Sequence, residues 1–157
     1  MCGLEALTPF KIYFWKLHSR SDISINTIND AKNYTIGIVN QNVEHDFLVA
    51  KGFTKLQIVS QSIFNIKKLF HGRVDIIPYN DLILNFTLVQ DKSLSEFNIN
   101  QLERLVELKS ISKEAYLVMN KNSSPQMIDV FKKGLQEVKN NGTYQRILIK
   151  YGVFVSP

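Results

Sequence analysis

Two polar turns in the sequence carry side chains that could bind a small polar solute. The first turn is Asn40-Gln41-Asn42-Val43-Glu44, and the second is Tyr79-Asn80-Asp81. Amide and carboxylate groups form hydrogen bonds, and the start of a following helix adds unpaired backbone N–H groups that favour an anion. The candidate ligand-binding residues are Gln41, Asn42, Val43, Glu44, Tyr79, Asn80 and Asp81. The alternative is that Asn42 and Asp81 only cap their helices.

The spacing of the other reactive residues gives little support to metal binding or catalysis. His18, His45 and His71 are far apart and none has a partner at i+4, so we expect no metal site. Glu44 and Asp81 are the candidate acids of a dehydratase-like enzyme, but no nucleophile, base and orienting partner accompany them. The sequence therefore favours a non-catalytic protein without a cofactor.

Composition and charge narrow the class of protein. The 157 residues are 45% hydrophobic, and 19 Lys plus Arg against 14 Asp plus Glu give a net charge of +5. This composition is globular, and no apolar run approaches the roughly 18 residues of a membrane span. Residues 109–157 hold eight bases and three acids, so 8 − 3 = +5 accounts for the whole excess. Because these bases are spaced singly, they indicate a solvated helix face rather than a nucleic-acid site.

Hydrophobic periodicity and turn residues predict alternating strands and helices. The predicted strands are Pro9–Leu17, Tyr34–Val39, Lys55–Ser60, Val74–Tyr79 and Ile111–Asn120. Seven helices are predicted. The first four are a short helix opened by Ser24, the helix Val43–Lys51 closed by Gly52, a helix capped by Ser62 and closed by Gly72, and a helix capped by Asp81 that runs to about Gln90. The last three are Leu102–Leu108, a helix capped by Ser124 with Pro125 in its first turn, and a helix from Thr143 with Ile147, Leu148 and Tyr151 on its apolar side.

This alternation predicts an α/β fold with an open, mostly parallel sheet flanked by helices. In such a sheet, ligands bind beyond the carboxyl ends of the strands. Both polar turns follow predicted strands, so we expect them at the same edge of the sheet.

Several segments resemble, in their order and spacing, bacterial extracellular solute-binding proteins of family 3, the periplasmic amino-acid-binding type. The segments are IYFWKL, SINTINDAKNYTIGIVNQNVEHDFL, KGFTKLQIV, LFHGRVDIIPYND and FKKGLQEVKNNGTYQRILIKYGV, within about residues 8–153. The most specific parts are Gly72–Asp75, which lead to Asn80, and Gly142–Gly152. The resemblance implies the type 2 periplasmic-binding fold, in which two lobes joined by crossing strands close around a solute.

The resemblance also implies a division of the chain. Residues 1–21 would hold a first-lobe remnant and a hinge strand, residues 22–108 the second lobe, and residues 109–157 the return hinge strand and the C-terminal helices of the first lobe. Family members have a longer N-terminal segment, so an incomplete first lobe, truncated at its N-terminus, is implied. A periplasmic location and delivery of a solute to an ABC permease or a sensor kinase are implied too, although residues 1–5 lack the pattern of a secretory signal.

The sequence departs from the family's pattern at three candidate positions. Gln41 and Val43 stand where the family usually has a Gly and a Ser or Thr, which leaves the backbone N–H of Val43 as the donor. Asn80 stands where an acidic residue commonly binds a ligand ammonium group, with Asp81 next to it. The alternative function is a self-associating or sensor module, in which apolar stripes on residues 128–138 and 147–151 lack first-lobe cover and form a homo-oligomer.

Overall fold

The computed structural model describes residues 2–150. The strands are β1 (Cys2–Phe10), β2 (Ile12–Leu17), β3 (Ile36–Val39), β4 (Leu56–Val59), β5 (Ile77–Asn80), β6 (Leu102–Glu107) and β7 (Lys113–Met119). The α-helices are α1 (Val43–Ala50), α2 (Ser62–Phe70), α3 (Asp81–Gln90), α4 (Pro125–Asn140) and α5 (Thr143–Lys150). Tyr151, predicted on the apolar side of the last helix, lies outside the described residues.

These elements form two compact units. Residues 11–112 make up one, here called the α/β unit. Residues 2–10 and 113–150 make up the described part of the other, here called the terminal unit. The units therefore divide after Phe10 and after Ser112, and the lobe boundaries at residues 21 and 108 stay a prediction.

The α/β unit contains a mixed sheet. β3 and β4 pair in parallel from Ile36 with Leu56 to Val39 with Val59. A parallel bridge joins Ile36 to Ile76, where the Gly37 N–H donates to the Ile76 carbonyl at 3.0 Å. The predicted parallel core between residues 34 and 79 is thereby confirmed. β2 adds antiparallel pairs with β5 and β6, which the strand pattern alone did not predict.

Helices α2 and α3 cover a continuous apolar core on this sheet. Trp15 and Ile77 contribute from neighbouring strands, and Ile66, Leu69 and Leu84 contribute from the helices. Fully burying a side chain of this size contributes about 1.5–3 kcal/mol, so the cluster holds β5 and the start of α3 in fixed positions.

A buried lysine fixes the loop after β2. The Lys16 ammonium group donates to the carbonyls of Arg20 and Ile23, both at 3.0 Å, and pairs with Glu103 at 3.2 Å. These three partners compensate for removing its charge from water.

Two predicted helices are wrong. Residues 102–107 of the segment predicted as helix Leu102–Leu108 form strand β6 instead, because backbone bonds to the neighbouring strand β2 outweigh the weak helix preference of a seven-residue segment. The helix predicted from Ser24 shortens to a single 3-10 turn, Asp30–Asn33. There the Asp30 carboxylate accepts from the N–H groups of Asn26 and Thr27, at 3.0 and 2.7 Å, and holds a turn in place of a helix.

Two predicted helix caps are also wrong by one residue. Ser62 is the first residue of α2, and Gln61 before it makes no side-chain capping bond. Asp81 is the first residue of α3, and Asn80 caps that helix. In contrast, Ser124 caps α4 as predicted, accepting from the Met127 N–H at 3.2 Å.

The terminal unit is built on an antiparallel pair, β1 with β7. Helix α4 follows with Pro125 in its first turn, and the chain turns at Gly142, whose φ of 75° suits glycine. The Tyr144 hydroxyl donates to the carbonyl of Leu7 and ties α5 to β1. None of the sixteen residues of α4 is buried. Among residues 2–150, no helix has the length and apolar character needed to cross a membrane.

Candidate functional site

The turn between β3 and α1 has an uncommon backbone conformation. Gln41 has φ of 55°, in the left-handed region where a side chain is disfavoured and glycine is preferred. Its N–H donates to the Nδ1 atom of His45 at 3.3 Å. Gln41 therefore adopts a backbone conformation that glycine favours, at a position where the family resemblance implies a glycine.

Asn42 caps helix α1, and Val43 begins it. The Asn42 side chain, in extended backbone conformation, accepts from the Glu44 N–H at 3.3 Å. The Val43 side chain is 54% exposed, and its N–H has no hydrogen-bond partner among the described residues. The first turn of α1 thus presents a free donor at the positive end of an eight-residue helix.

Glu44 is buried next to that donor. One of its carboxylate oxygens, Oε2, has no hydrogen-bond partner among the described residues. Burial raises the pKa of the Glu44 carboxyl group, and the Glu44 N–H opposes this only in part. The structure thus places a carboxyl group with a raised pKa in the turn between β3 and α1.

The turn between β5 and α3 is built differently, because its amide side chain is fully used. Asn80 is 3% exposed; its Oδ1 accepts from the Ile83 N–H at 3.0 Å, and its Nδ2 donates to the Lys11 carbonyl at 2.9 Å. Tyr79 is half-buried in β5 opposite Tyr13. Its carbonyl accepts from the Trp15 indole N–H at 3.2 Å.

Asp81 faces a cation across the sheet. An Oδ2 atom of Asp81 lies 3.5 Å from an Nη1 atom of Arg104 on β6. Burial raises the pKa of Asp81, while its bond from the Leu82 N–H and the charges of Arg104 and Lys11 lower it. The Arg104 guanidinium also lies 4.7 Å from the centre of the Tyr13 ring.

The topology brings the two polar turns to one edge of the sheet. β3 and β5 run in the same direction, as the Ile36–Ile76 bridge requires, so both turns leave the sheet at its carboxyl edge. Arg104, Tyr13 and Lys11 join the second turn there, and the sequence patterns did not identify them. Their positions depend on the antiparallel pairing of β2 with β5 and β6, for which the sequence carried no short-range signal.

The arrangement suits hydrogen bonding to a charged solute. It offers a free N–H at Val43, a half-buried carboxylate at Asp81 and a guanidinium at Arg104. Within residues 7–150, whose side chains the structure describes, no group of three or more His, Cys, Asp and Glu side chains could hold a metal ion.

No protein-family model matches the sequence, and no curated protein sequence matches it. Solved structures do match in fold. The second substrate-binding domain of GlnP from Lactococcus lactis, in an open conformation, has a TM-score of 0.71 at 18% identity, with 96% of this chain and 61% of that chain covered. The probable amino-acid ABC transporter extracellular-binding protein ytmK from Bacillus subtilis also has a TM-score of 0.71 at 18% identity, with 98% and 64% covered.

A histidine kinase sensor domain with similarity to periplasmic binding proteins matches as well. Its TM-score is 0.66 at 14% identity, and the match covers 99% of this chain and 64% of that one. This chain spans about three fifths of the length of these structures, which agrees with the incomplete first lobe that the resemblance implied. At the level of the fold, the resemblance is confirmed: the chain has the α/β fold of the periplasmic amino-acid-binding proteins.

Proposed function

We propose that this chain is a non-catalytic module that binds a small polar solute at the carboxyl edge of the sheet in the α/β unit. The observation that carries the proposal is the free N–H of Val43, which lies at the start of α1 on the sheet edge that also bears Asp81. A free backbone donor at a helix N-terminus binds carboxylate and other anions. The half-buried carboxylate of Asp81 offers the opposite charge to an ammonium group.

The seven candidate residues divide into two roles under this proposal. Val43 and Asp81 contact the solute. Gln41, Asn42 and Glu44 shape the first turn. Tyr79 and Asn80 hold the second turn in place: Tyr79 is bonded to Trp15, and Asn80 is bonded to Ile83 and Lys11.

The wider biological role follows the same fold. The similar structures include binding proteins of amino-acid ABC transporters and a sensor domain of a histidine kinase. We therefore propose a role in ABC-type uptake or in sensing of an amino acid or a related metabolite outside the cytoplasm. A dehydratase-like activity is less well supported, because Glu44 and Asp81 lack an accompanying nucleophile and base.

A nuclear magnetic resonance titration tests the proposal directly. Amino acids and small polar metabolites are added to the 15N-labelled 157-residue chain, and the backbone amide shifts are followed. We expect saturable shifts within residues 40–46 and 79–84. The dissociation constant should exceed about 1 mM, because the α/β unit alone does not enclose the 70–90% of ligand surface typical of a pocket.

The chain provides its own control for weak anion binding. Helix α4 also begins with a capped N-terminus, at Ser124 and Pro125, but its first turn contains no acidic residue. Shifts in the amides of residues 126–128 as large as those in residues 40–46 would indicate general attraction of anions to helix ends, and would contradict the proposal. The absence of saturable shifts for every compound would also contradict it.

A second candidate function is self-association through α4 in the terminal unit. Met127, Val130 and Phe131 are exposed on this helix, with Val130 66% exposed. Contiguous apolar surface of this kind favours association. Light scattering coupled to size-exclusion chromatography should then show a mass that rises with concentration and falls in Val130→Lys. A monomer at high concentration would remove this candidate.

A further inference from the structure

Arg104 contacts an aromatic ring and a carboxylate but makes little use of its hydrogen-bonding capacity. Its guanidinium lies 4.7 Å from the centre of the Tyr13 ring, a stacking distance, and 3.5 Å from one oxygen of Asp81. Among the described residues, the guanidinium group makes no hydrogen bond. A guanidinium carries five N–H donors in a rigid fork that matches a carboxylate, so the capacity for a two-point contact remains unused.

The acids that flank Arg104 along β6 do not occupy that fork. Glu103 pairs with Lys16 at 3.2 Å. Glu107, which lies opposite Tyr13 in the register of β2 and β6, forms no ion pair with Arg104 in the part of the chain that the structure describes. The Lys11 backbone carbonyl accepts from the Asn80 side chain at 2.9 Å, and the charge of Lys11, like that of Arg104, lowers the pKa of Asp81. The surroundings of Asp81 therefore contain two cations.

The carboxyl edge of the sheet thus offers two separate sites for anionic groups and one for a cationic group. The N–H of Val43, at the start of α1, is one anion site, and the fork of Arg104 is the other. Asp81, between α3 and β6, is the site for a cation. A solute that matches this set carries two carboxylates and one ammonium group.

We infer that the site selects an acidic, dicarboxylic amino acid, and that Arg104 is the residue that determines this preference by binding the second carboxylate. This inference rests on the proposed function, since it assigns a substrate class to the same site. The ammonium group of the solute takes the place of Arg104 beside Asp81, and the guanidinium, still stacked on Tyr13, turns its fork toward the solute. Neutral and basic amino acids lack the second carboxylate and bind more weakly.

The test compares L-glutamate, L-glutamine and L-arginine as probes at constant pH and ionic strength. Their dissociation constants are measured by NMR titration of the 157-residue chain, and the Arg104 side-chain Nε–Hε resonance is followed in the same spectra. We expect glutamate to bind about tenfold more tightly than glutamine, the size of effect that a charged hydrogen bond produces. The Arg104 resonance should shift with both probes, because each brings an ammonium group to Asp81, and the shift at saturation should be larger with glutamate, whose second carboxylate binds the guanidinium.

Variants separate a binding role from a structural one. Arg104→Gln should weaken glutamate binding about tenfold and change glutamine binding little, whereas Arg104→Lys should recover only part of the loss because it lacks the fork. Arg146→Gln, which removes an exposed arginine bonded to Thr143 on α5, is the matched control and should bind like the unmodified chain. Amide spectra of each variant show whether the fold is retained.

The outcomes distinguish this inference from the proposed function. If glutamine or arginine binds at residues 40–46 and 79–84 as tightly as glutamate, the proposed function stands and the acidic preference is wrong. If Arg104→Gln weakens all three probes equally, Arg104 has a general structural role, and its assignment as the selecting residue is wrong. If none of the three probes binds, the acidic preference is wrong, whereas the proposed function fails only if no compound of the wider titration gives saturable shifts.

Discussion

Replacing Val43 with proline removes the free donor of the first turn and leaves the helix intact. Proline is tolerated at the first residue of a helix, where its missing N–H has no intrahelical partner. The preceding residue, Asn42, has φ of −96° and ψ of 160°, the extended conformation that a following proline requires. The Val43 side chain is mostly exposed, and Pro125 already occupies the equivalent position in α4. We therefore expect a change in the free energy of unfolding below about 0.5 kcal/mol.

The effect on binding should be much larger than the effect on folding. A hydrogen bond to a charged group contributes about 1.5–3 kcal/mol, and each 1.4 kcal/mol is a factor of ten in affinity. Loss of the Val43 donor should therefore weaken binding of a carboxylate-bearing solute roughly 10- to 150-fold. The capping bond from the Glu44 N–H to Asn42 remains, so the loss isolates a single donor.

The assay is the NMR titration of the 157-residue chain, with urea unfolding of each variant in parallel. Val43→Ala shortens the same side chain but keeps the N–H, so it should bind like the unmodified chain. Full affinity in Val43→Pro, with unchanged stability, would show that the N–H does not contact the solute. A loss of more than about 1 kcal/mol in unfolding free energy would show that the N–H has a structural role instead.

Three further predictions concern stability. Gln41→Gly should raise the unfolding free energy by about 1 kcal/mol in urea titrations, because it relieves the left-handed backbone at φ of 55°, whereas Gln41→Ala should give no gain. Glu44→Gln should be more stable than the unmodified chain at pH 7. Because folding raises the pKa of Glu44, its protonated carboxyl group contributes to stability below the ordinary pKa of 4.5, and this contribution is lost as the pH rises through the pKa of the folded state. The stability difference between the two chains should therefore shrink on acidification. Gly37→Ala should cost about 1–3 kcal/mol, because its Cβ would lie 2.8 Å from the Oδ1 atom of buried Asn65, whereas Gly134→Ala, with nothing within 4 Å and in mid-helix, should stabilise. Equal effects of the two glycine substitutions would contradict the close contact at Gly37.

The segment from residue 34 to residue 90 could be predicted from its sequence, because its signals act over a few residues. Strands β3 and β4, helix α1 and its stop at Gly52, with φ of 75°, follow from periodicity and from the one residue that adopts that conformation without strain. Strand β6 could not be predicted in this way. Its structure is set by pairing with β2, in which Trp15 lies opposite Arg104, two residues far apart in the chain.

The same distinction applies to the candidate site. The two polar turns are local features, so their place at the sheet edge followed once the strands were predicted. The surroundings of Asp81 are not local, because Arg104 reaches it from β6 and lies over the ring of Tyr13 on β2. The roles of adjacent residues also escaped prediction: whether Asn80 or Asp81 caps α3 depends on the Lys11 carbonyl, which accepts from the Asn80 amide.

The two turns differ in how completely the fold satisfies their hydrogen-bonding groups. This difference indicates which residues bind a solute and which stabilise the fold. In the first turn, Gln41 has a disfavoured backbone, the Val43 N–H lacks a described partner, and Glu44 Oε2 is buried without one. Each feature costs stability, and such costs concentrate where a protein binds or reacts. In the second turn, both polar atoms of the Asn80 side chain are bonded within the α/β unit. A solute carboxylate would therefore satisfy a donor that folding leaves free in the first turn, whereas Asn80 has nothing further to offer. Substitutions at Val43 should accordingly act on binding, and substitutions at Asn80 on stability.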